Sequence, residues 1–458
     1  MTNPTRQSVL FRELFEKPTT AIFDGEAQTS DGGAGLLGAV DRRLGLTDSL
    51  AACFVDRRDP SRIEHLFEEL LRQRVFSIGL GYCDQNDAAR VGHDPMLKAL
   101  SGRAPIKGAD LASQPTLSRF ENSVTATELV EMAHTLEKNV VARLSKRYPT
   151  ARCVTIDMDP SVDPTHGNQQ GTLFNAFYDT WCYLPCFGTL IIDGDPEQYL
   201  FCARLRPGNA AACRSALRTI RRMVERLRNA FPGAEIRVRL DSGFASPQVF
   251  DALDELGVKY VVGMPKNSRL LELCEVEMVA AKVVAFNEEK TAQIYGEFKY
   301  AAGSWKRKRR IVFKAQVLVA DGKLNKDNPR FVVTNISRST KPKTVYRGIY
   351  CARGDAENRL KELKYGLAVD RTSCTSFVAN QFRVLMTAAA YVLFQELRYT
   401  LRGTEAARWQ VRTLRERLLK IGGRVVESVR RIVVHLAAAC PWRELWCEAA
   451  RRLGAAPV

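Results

Sequence analysis

With 458 residues, 45% of them hydrophobic and 26% charged, the chain has the composition of a folded protein of several domains, which excludes a disordered or fibrous one. Lys and Arg number 68 against 51 Asp and Glu, a formal net charge of +17 that points to a polyanionic partner, because neutralising phosphates releases condensed counterions. Twelve Cys and five His are dispersed without a repeated CxxC or HxxxH spacing, so neither a structural zinc site nor a disulfide framework is expected.

In chain order, the N-terminal stretch MTNPTRQSVLFRELFEK has charges scattered through its apolar residues and lacks the apolar core of a secretory signal. No uninterrupted run of about 18 apolar residues follows, so no membrane span is expected, and without disulfide spacing a reducing cytoplasm is the expected location. Residues 1–150 are predicted to be mainly helical and to bind DNA. SRIEHLFEELLRQRVFSIGLGY has apolar residues at three- and four-residue steps, and TATELVEMAHTLEKNVVARLSKRY ends in a basic last turn. Between them, DLASQPTLSRFEN fits either a helix-turn-helix reading element or an ordinary helical hairpin.

Near residue 151 the pattern turns to strand. ARCVTIDMD, the two strands of TLFNAFYDTWCYLPCFGTLII, EIRVRLDSG and VKYVVGMP, with helices at SALRTIRRMVERLRN and SPQVFDALDELG, predict the first part of an α/β core with a mixed sheet over 151–263. Residues 264–335 read as a β-rich insertion, with short strands at VVAFNEEK, AQIYGEFKY, RIVFKAQVLVA and RFVVTNI. This stretch also carries the basic run Lys306, Arg307, Lys308, Arg309 and Arg310 beside Trp305, a candidate phosphate contact. The core resumes over 336–400, where SFVANQFRVLMTAAAYVLFQELRYTL is apolar almost all round and predicts a buried core helix. Residues 401–458 form a C-terminal region suited to dimerisation or DNA contact, in which GGRVVESVRRIVVHLAAA fits a hairpin or a short basic helix.

Three acidic positions stand out by context. Asp157 and Asp159 lie two residues apart near the end of one predicted strand and so face the same side. Asp241 ends a second apolar strand, and the C-terminal edges of strands are where α/β sheets place their sites. The third is Glu357. At about 100° per residue, Tyr350, Arg353, Glu357 and Lys364 fall within a helical sector of roughly 60°, whereas Asp355 and Glu362 lie off it. A carboxylate flanked by an aromatic ring and two cations suits a metal ligand set among phosphate contacts.

Here the sequence resembles a known family. Tyr-x2-Arg-x3-Glu-x6-Lys surrounds the catalytic glutamate in a large group of bacterial insertion-sequence transposases of the Asp-Asp-Glu (DDE) class, and residues 350, 353, 357 and 364 match it without a gap. FDGEAQTSDGGAGLL and HGNQQGTLFNAFY are similar to stretches of one subgroup. The resemblance implies a ribonuclease H-like core, related to that of retroviral integrases, interrupted by the β-rich insertion. It implies Asp159, Asp241 and Glu357 as catalytic metal ligands. Ser161 stands where a hydroxyl residue follows the first aspartate by two positions, usually Thr, and Asp157 stays open as an alternative first ligand. Tyr350, Arg353 and Lys364 are implied to hold phosphates. The expected cofactors are two Mg²⁺ ions per site, with Mn²⁺ able to substitute. The expected partners are double-stranded DNA, as element terminal repeats and target, and a second copy of the chain. The expected reaction is cleavage at the element's ends followed by strand transfer. A nuclease with the same core would cleave without joining.

Overall fold

The computed structural model describes residues 8–11, 19–22, 25–210, 212–319 and 326–456. Most of the N-terminal stretch read for a leader, Phe23 and Asp24 of FDGEAQTSDGGAGLL, Ala211 of the RPGNAA loop, and the end of the RIVFKAQVLVA strand at Ala320 lie outside them. The chain divides into two compact units, Val124–Ala388 and Met1–Ser123 with Ala389–Val458. The first boundary between these units falls before helix α1 (Ala126–Arg147). The reason is packing: the buried Glu137 of α1 accepts hydrogen bonds at 2.5 and 2.9 Å from Arg222 of α2 (Ala212–Ala230). Arg226 reaches the same carboxylate at 3.7 Å. Two arginines of the basic helix are thereby committed to holding α1.

The larger unit is a mixed α/β layer structure built on one sheet. Its strands are β1 (Cys153–Pro160), β2 (Cys186–Ile192), β3 (Tyr199–Arg204), β4 (Glu235–Leu240), β5 (Lys259–Met264), β6 (Ala292–Tyr300), β7 (Arg309–Leu318) and β8 (Arg330–Thr334). They lie in the order β6-β7-β8-β5-β4-β1-β2-β3, with Lys326–Asp327 pairing onto β7. β4 runs parallel to both β1 and β5, and every other pairing along the order is antiparallel. β1 is buried on both faces, and its residues alternate with period two. Val154, Ile156 and Met158 point one way, while Thr155, Asp157 and Asp159 point the other. On α2 the buried Ala216, Ile220, Met223, Val224 and Leu227 recur at three- and four-residue steps, giving the stripe that packs a helix onto a sheet.

The stretch expected as a strand-rich insertion opens with helix. VVAFNEEK, read as a strand, lies mostly in α4, which follows α3 (Pro247–Glu255) and spans Glu275–Glu288. Met278, Ala281 and Ala285 are its buried residues, three or four apart, so helical period overrides the local Val-Val-Ala-Phe propensity. The strands β6 to β8 then pair onto β5 and prolong the core sheet. After α5 (Gly354–Lys361), the long α6 (Phe377–Thr400) has the length and hydropathy of a membrane span. Of that apolar window, 83% is buried inside the protein, the setting of a core helix.

The smaller unit contains the helices Gly35–Leu44, Phe67–Leu80, Gln114–Asn122 and Arg443–Arg452. A buried ion pair, Arg74 to Glu121 at 2.7 Å, ties the second of these to the third. The DLASQPTLSRFEN segment supplies that third helix, which buries Leu117, Phe120 and Glu121. The C-terminal β-branched segment is a hairpin, Gly423–Glu427 with Ile432–Leu436, and pairs with Gln28–Thr29.

The basic run of residues 306–310 divides at the start of β7. Arg309 and Arg310, expected to meet phosphate, are buried. Arg309 donates to Asp251 at 2.5 Å, to Asp254 and to the Tyr260 hydroxyl, and it lies over the Phe250 ring. Arg310 pairs with Glu297 and donates to the carbonyls of Ile336, Ser337 and Thr340. Arg307 also meets Asp254, and Lys306 lies 3.9 Å from Asp251, both with exposed side chains; Lys308 is exposed. Trp305 packs edge-on against Phe250 and Tyr300. The run thus clamps β7 to α3. Removing one partner of such buried pairs leaves the other charged and unpaired, so Arg309→Ala is expected to cost about 3–5 kcal/mol in urea unfolding. Lys308→Ala should change stability by less than about 0.5 kcal/mol.

Candidate active site

Parallel pairing of β1 with β4 brings their C-terminal ends side by side, and both carry carboxylates there. Asp159 is the penultimate residue of β1, and Asp241 directly follows β4. Asp241 begins a tight turn in which its Oδ1 accepts the Gly243 amide at 2.8 Å, leaving Oδ2 directed elsewhere. Glu357 is exposed on α5, one helical turn beyond Arg353. Asp159, Asp241, Arg353, Glu357, Lys361 and Lys364 line one open cleft of about 380 Å³, together with Pro160 and Ser161.

Arg353 dominates the electrostatics of the cleft. Its Nη2 lies 2.5 Å from Asp159 Oδ1 and 3.8 Å from Asp241 Oδ2. Burial pushes the Asp159 carboxyl up to about 6; Arg353 opposes this, while Asp241 and Glu357 add to it by repulsion. Lys361 and Lys364 bring further positive charge to the cleft wall. All the donors are hard oxygens, which suit a divalent cation such as Mg²⁺ or Mn²⁺. Among the described residues no three His, Cys, Asp or Glu side chains stand close enough together to hold a metal ion. Arg353 bridges the space between the two aspartates instead.

Asp157, the alternative first carboxylate, is differently employed. It is paired in register with Arg239 of β4, whose Nε and Nη2 donate to its two oxygens at 2.7 and 2.5 Å. The Asp157 side chain is 1% exposed, and it does not line the cleft. Burial pushes its carboxyl above the ordinary range, against the pull of Arg239. Arg239 Nη1 also donates to the Ile349 carbonyl at 2.9 Å, tying this pair to the turn that precedes Tyr350.

The four signature positions do not all face the cleft. Arg353, Glu357 and Lys364 do, but Lys364 Nζ donates to the Val162 carbonyl at 2.6 Å and so steadies the loop after β1. Tyr350 turns to a neighbouring cavity of about 700 Å³ that it lines with Ser242, Gly263, Lys266, Lys314 and Arg330. A Cβ at position 263 would stand 2.4 Å from the Tyr350 hydroxyl, so glycine there admits the ring. The reason for the divergence is local winding. Wide π-type turns at Thr344–Tyr350 and Glu362–Gly366 flank the regular α5, and a uniform 100° step does not run through all four positions. The residues that sequence reasoning missed, Arg239, Lys266, Lys314, Arg330 and Lys361, carry no spacing signal; only the sheet register and the fold gather them.

Two strand-end aspartates and a helical glutamate thus line one open cleft with an arginine. The family described as Transposase DDE domain group 1 matches residues 11–458, and the chain belongs to that family. No curated protein matches the chain. Among solved structures it is similar to a piggyBac transposase in a synaptic complex with hairpin DNA, at 10% identity and a TM-score of 0.40, covering 86% of this chain and 82% of that one.

The two candidate first carboxylates are separable by stability. Asp157→Asn should lose about 3–5 kcal/mol in urea unfolding, because Arg239 is then buried without a counter-charge. Asp159→Asn relieves repulsion as it loses Arg353, and should shift stability by less than about 1 kcal/mol. Equal losses would refute the division of labour between them.

Proposed function

We propose that the chain is the transposase of an insertion sequence, binding terminal inverted repeats and cutting and rejoining DNA at the cleft of Asp159, Asp241 and Glu357. The observation that carries this reading is their convergence, from two neighbouring parallel strands and a helix, onto one cleft shared with Arg353. The order β5-β4-β1-β2-β3, with only β2 antiparallel to the rest, supports a ribonuclease H-like core. On this reading residues 1–150 read the repeats, residues 401–458 contribute to a homodimer on DNA, and the protein works in the bacterial cytoplasm.

Asp159, Asp241 and Glu357 would hold two Mg²⁺ or Mn²⁺ ions, which when bound supply activation of the attacking oxygen and stabilisation of the leaving 3′-oxygen. The chain's own part is positioning. Arg353 is buried beside both aspartates, and a guanidinium released from them is placed to grip a phosphate with two parallel hydrogen bonds. Lys361 and Lys364, on the same wall, add cationic contacts for the flanking backbone. Tyr350 and the cations of the adjoining cavity extend that surface past Asp241.

Asp241→Asn and Glu357→Gln are expected to reduce cleavage of DNA bearing the element's ends by on the order of a hundredfold or more, with affinity for that DNA nearly unchanged. Joined product from pre-cut ends marks a transposase; cleavage without any joining would replace this reading by a nuclease. A second test uses metal without DNA. At pH 7.5, Mg²⁺ or Mn²⁺ should raise the melting midpoint, since a ligand of the folded state stabilises it. Asp159 is pushed up to about 6, so protons compete with metal as pH falls through that value, and the rise should shrink at pH 5. It should vanish in Asp241→Asn. A metal-induced rise equal at both pH values would exclude Asp159 as a ligand.

A further inference from the structure

In the smaller unit the C-terminal hairpin of Gly423–Glu427 and Ile432–Leu436 stands on a firm base. Gln28–Thr29 pairs with Gly423 and Arg424 alone, and the Val425 amide donates to the Ala27 carbonyl at 3.0 Å. A Cβ at position 32 would stand 2.7 Å from the Leu436 side chain and 2.9 Å from the Ile421 carbonyl, so the root is closely packed. Val425 is buried there. Among the described residues, the ribbon from Val426 to Val433 has two strands. Glu427 braces this outer half: its Oε2 accepts the amides of Ile106 and Lys107 at 2.9 and 3.2 Å.

One serine orders the turn at the tip. Ser428 donates its amide and its hydroxyl to the Arg431 carbonyl, at 2.9 and 3.0 Å, and its Oγ accepts the Arg431 amide at 3.2 Å. Val429 and Arg430 are thereby set at the apex, and Val429 is 97% exposed. Arg430, Arg431 and Ile432 are exposed beside it, as is Lys107 at the brace. Glu427 is the one acid between residues 423 and 436, and it is engaged by the two amides. Arg424, nearer the root, pairs with Glu26 at 2.8 Å. Among the described residues neither Arg430 nor Arg431 meets a carboxylate.

A lone exposed valine needs no partner. Two unanswered guanidiniums on a braced turn, in a chain of net charge +17, fit a polyanion. The side chains also choose the groove. Ser428 uses its hydroxyl within the turn, and Val429 has neither donor nor acceptor, so it reads none of the edges that distinguish base pairs in the major groove. The minor groove is about half as wide, and its negative potential draws arginine. An apolar side chain there enters between base steps and bends the duplex. We propose that this tip enters the minor groove of duplex DNA, with Arg430 and Arg431 along the groove and Val429 as a wedge at a base step. The proposal rests on the transposase reading for its DNA, and it adds a contact made by the C-terminal region.

The test uses the full chain and a 20-base-pair duplex of alternating A and T, whose TA steps kink readily. Affinity is read by fluorescence anisotropy and bending by energy transfer between labels on the duplex ends. Arg430→Ala combined with Arg431→Ala should weaken binding by about tenfold, with the melting midpoint unchanged. Netropsin, which fills the A·T minor groove, should weaken binding of the natural chain and leave that of the double variant as it was. Val429→Ala should reduce the bend while keeping affinity within about threefold, and Val429→Leu should keep both. Unchanged affinity in the double variant overturns the proposal, as does binding of the natural chain that netropsin leaves intact. A bend that is absent, or undiminished in Val429→Ala, overturns it too. A fall in self-association of the double variant by sedimentation, with duplex affinity intact, would assign the tip to a second copy of the chain and also overturn it. The two readings fail separately. Asp241-dependent cleavage with tip-independent binding removes the groove contact alone, whereas tip-dependent binding without any Asp241-dependent cleavage removes the transposase reading alone.

Discussion

Asp157 and Arg239 are cross-strand partners on β1 and β4, joined by two hydrogen bonds in a buried setting, and the geometry of the cleft follows from their pairing. Two residues further along each strand, in the same phase, stand Asp159 and Asp241. A slip of one residue between these strands would turn one carboxylate to the opposite face of the sheet. It would also bury Asp157 without its counter-charge, which is costly. The same guanidinium holds the Ile349 carbonyl, which lies four residues before Arg353 and eight before Glu357. One arginine thereby relates all three elements that contribute to the cleft. Such a pair adds little net stability compared with apolar packing, but it penalises every other register.

Around that frame the cleft sets three carboxylates, Asp159, Asp241 and Glu357, against Arg353, Lys361 and Lys364. Asp241 and Glu357 repel the Asp159 carboxylate, and Arg353, itself largely buried, pairs with Asp159 and reaches Asp241. Burial is the largest cause of the upward push on Asp159, and the repulsion from Asp241 and Glu357 adds to it. Arg353 therefore stands at a crossroads. It satisfies the carboxylates when nothing else does, and in the function proposed here a phosphate would draw it away as cations took its place. The long reach of arginine and its planar fork suit both positions, which a lysine would not match.

The strand-end aspartates were legible because an acid that closes an apolar, β-branched run has no packing role to explain it. Glu357 was legible because helical phase separates it from Asp355 and Glu362. The phase argument failed for Tyr350, where π-type winding interrupts the uniform step, and no residue type in Thr344–Tyr350 announces such winding. Asp157 and Asp159 were inseparable by sequence because they share a strand face; what distinguishes them is Arg239, 82 positions away from Asp157 and adjacent only through sheet pairing. The β-branched content of VVAFNEEK pointed to a strand, and the tertiary burial of Met278, Ala281 and Ala285 made it helix.

The basic run of residues 306–310 and the aromatic hairpin teach opposite halves of one lesson about surfaces. A dense run of cations invites a reading as a polyanion contact, yet Arg309 and Arg310 turn inward because Asp251, Asp254 and Glu297 are already there to receive them. The aromatic segment, Leu173–Asn175 paired with Thr180–Tyr183, reads as ordinary strand, the kind of sequence that packs a core, yet its rings face solvent. Side-chain chemistry alone predicts the wrong side of the surface in both cases. What decides is whether the fold supplies a partner: three carboxylates did so for the arginines, and no protein surface in the described structure does so for Phe177. The cations of the neighbouring cavity, Lys266, Lys314 and Arg330, come instead from separate elements, and those of the cleft, Lys361 and Lys364, from one helical stretch, so that only the completed fold assembles each set.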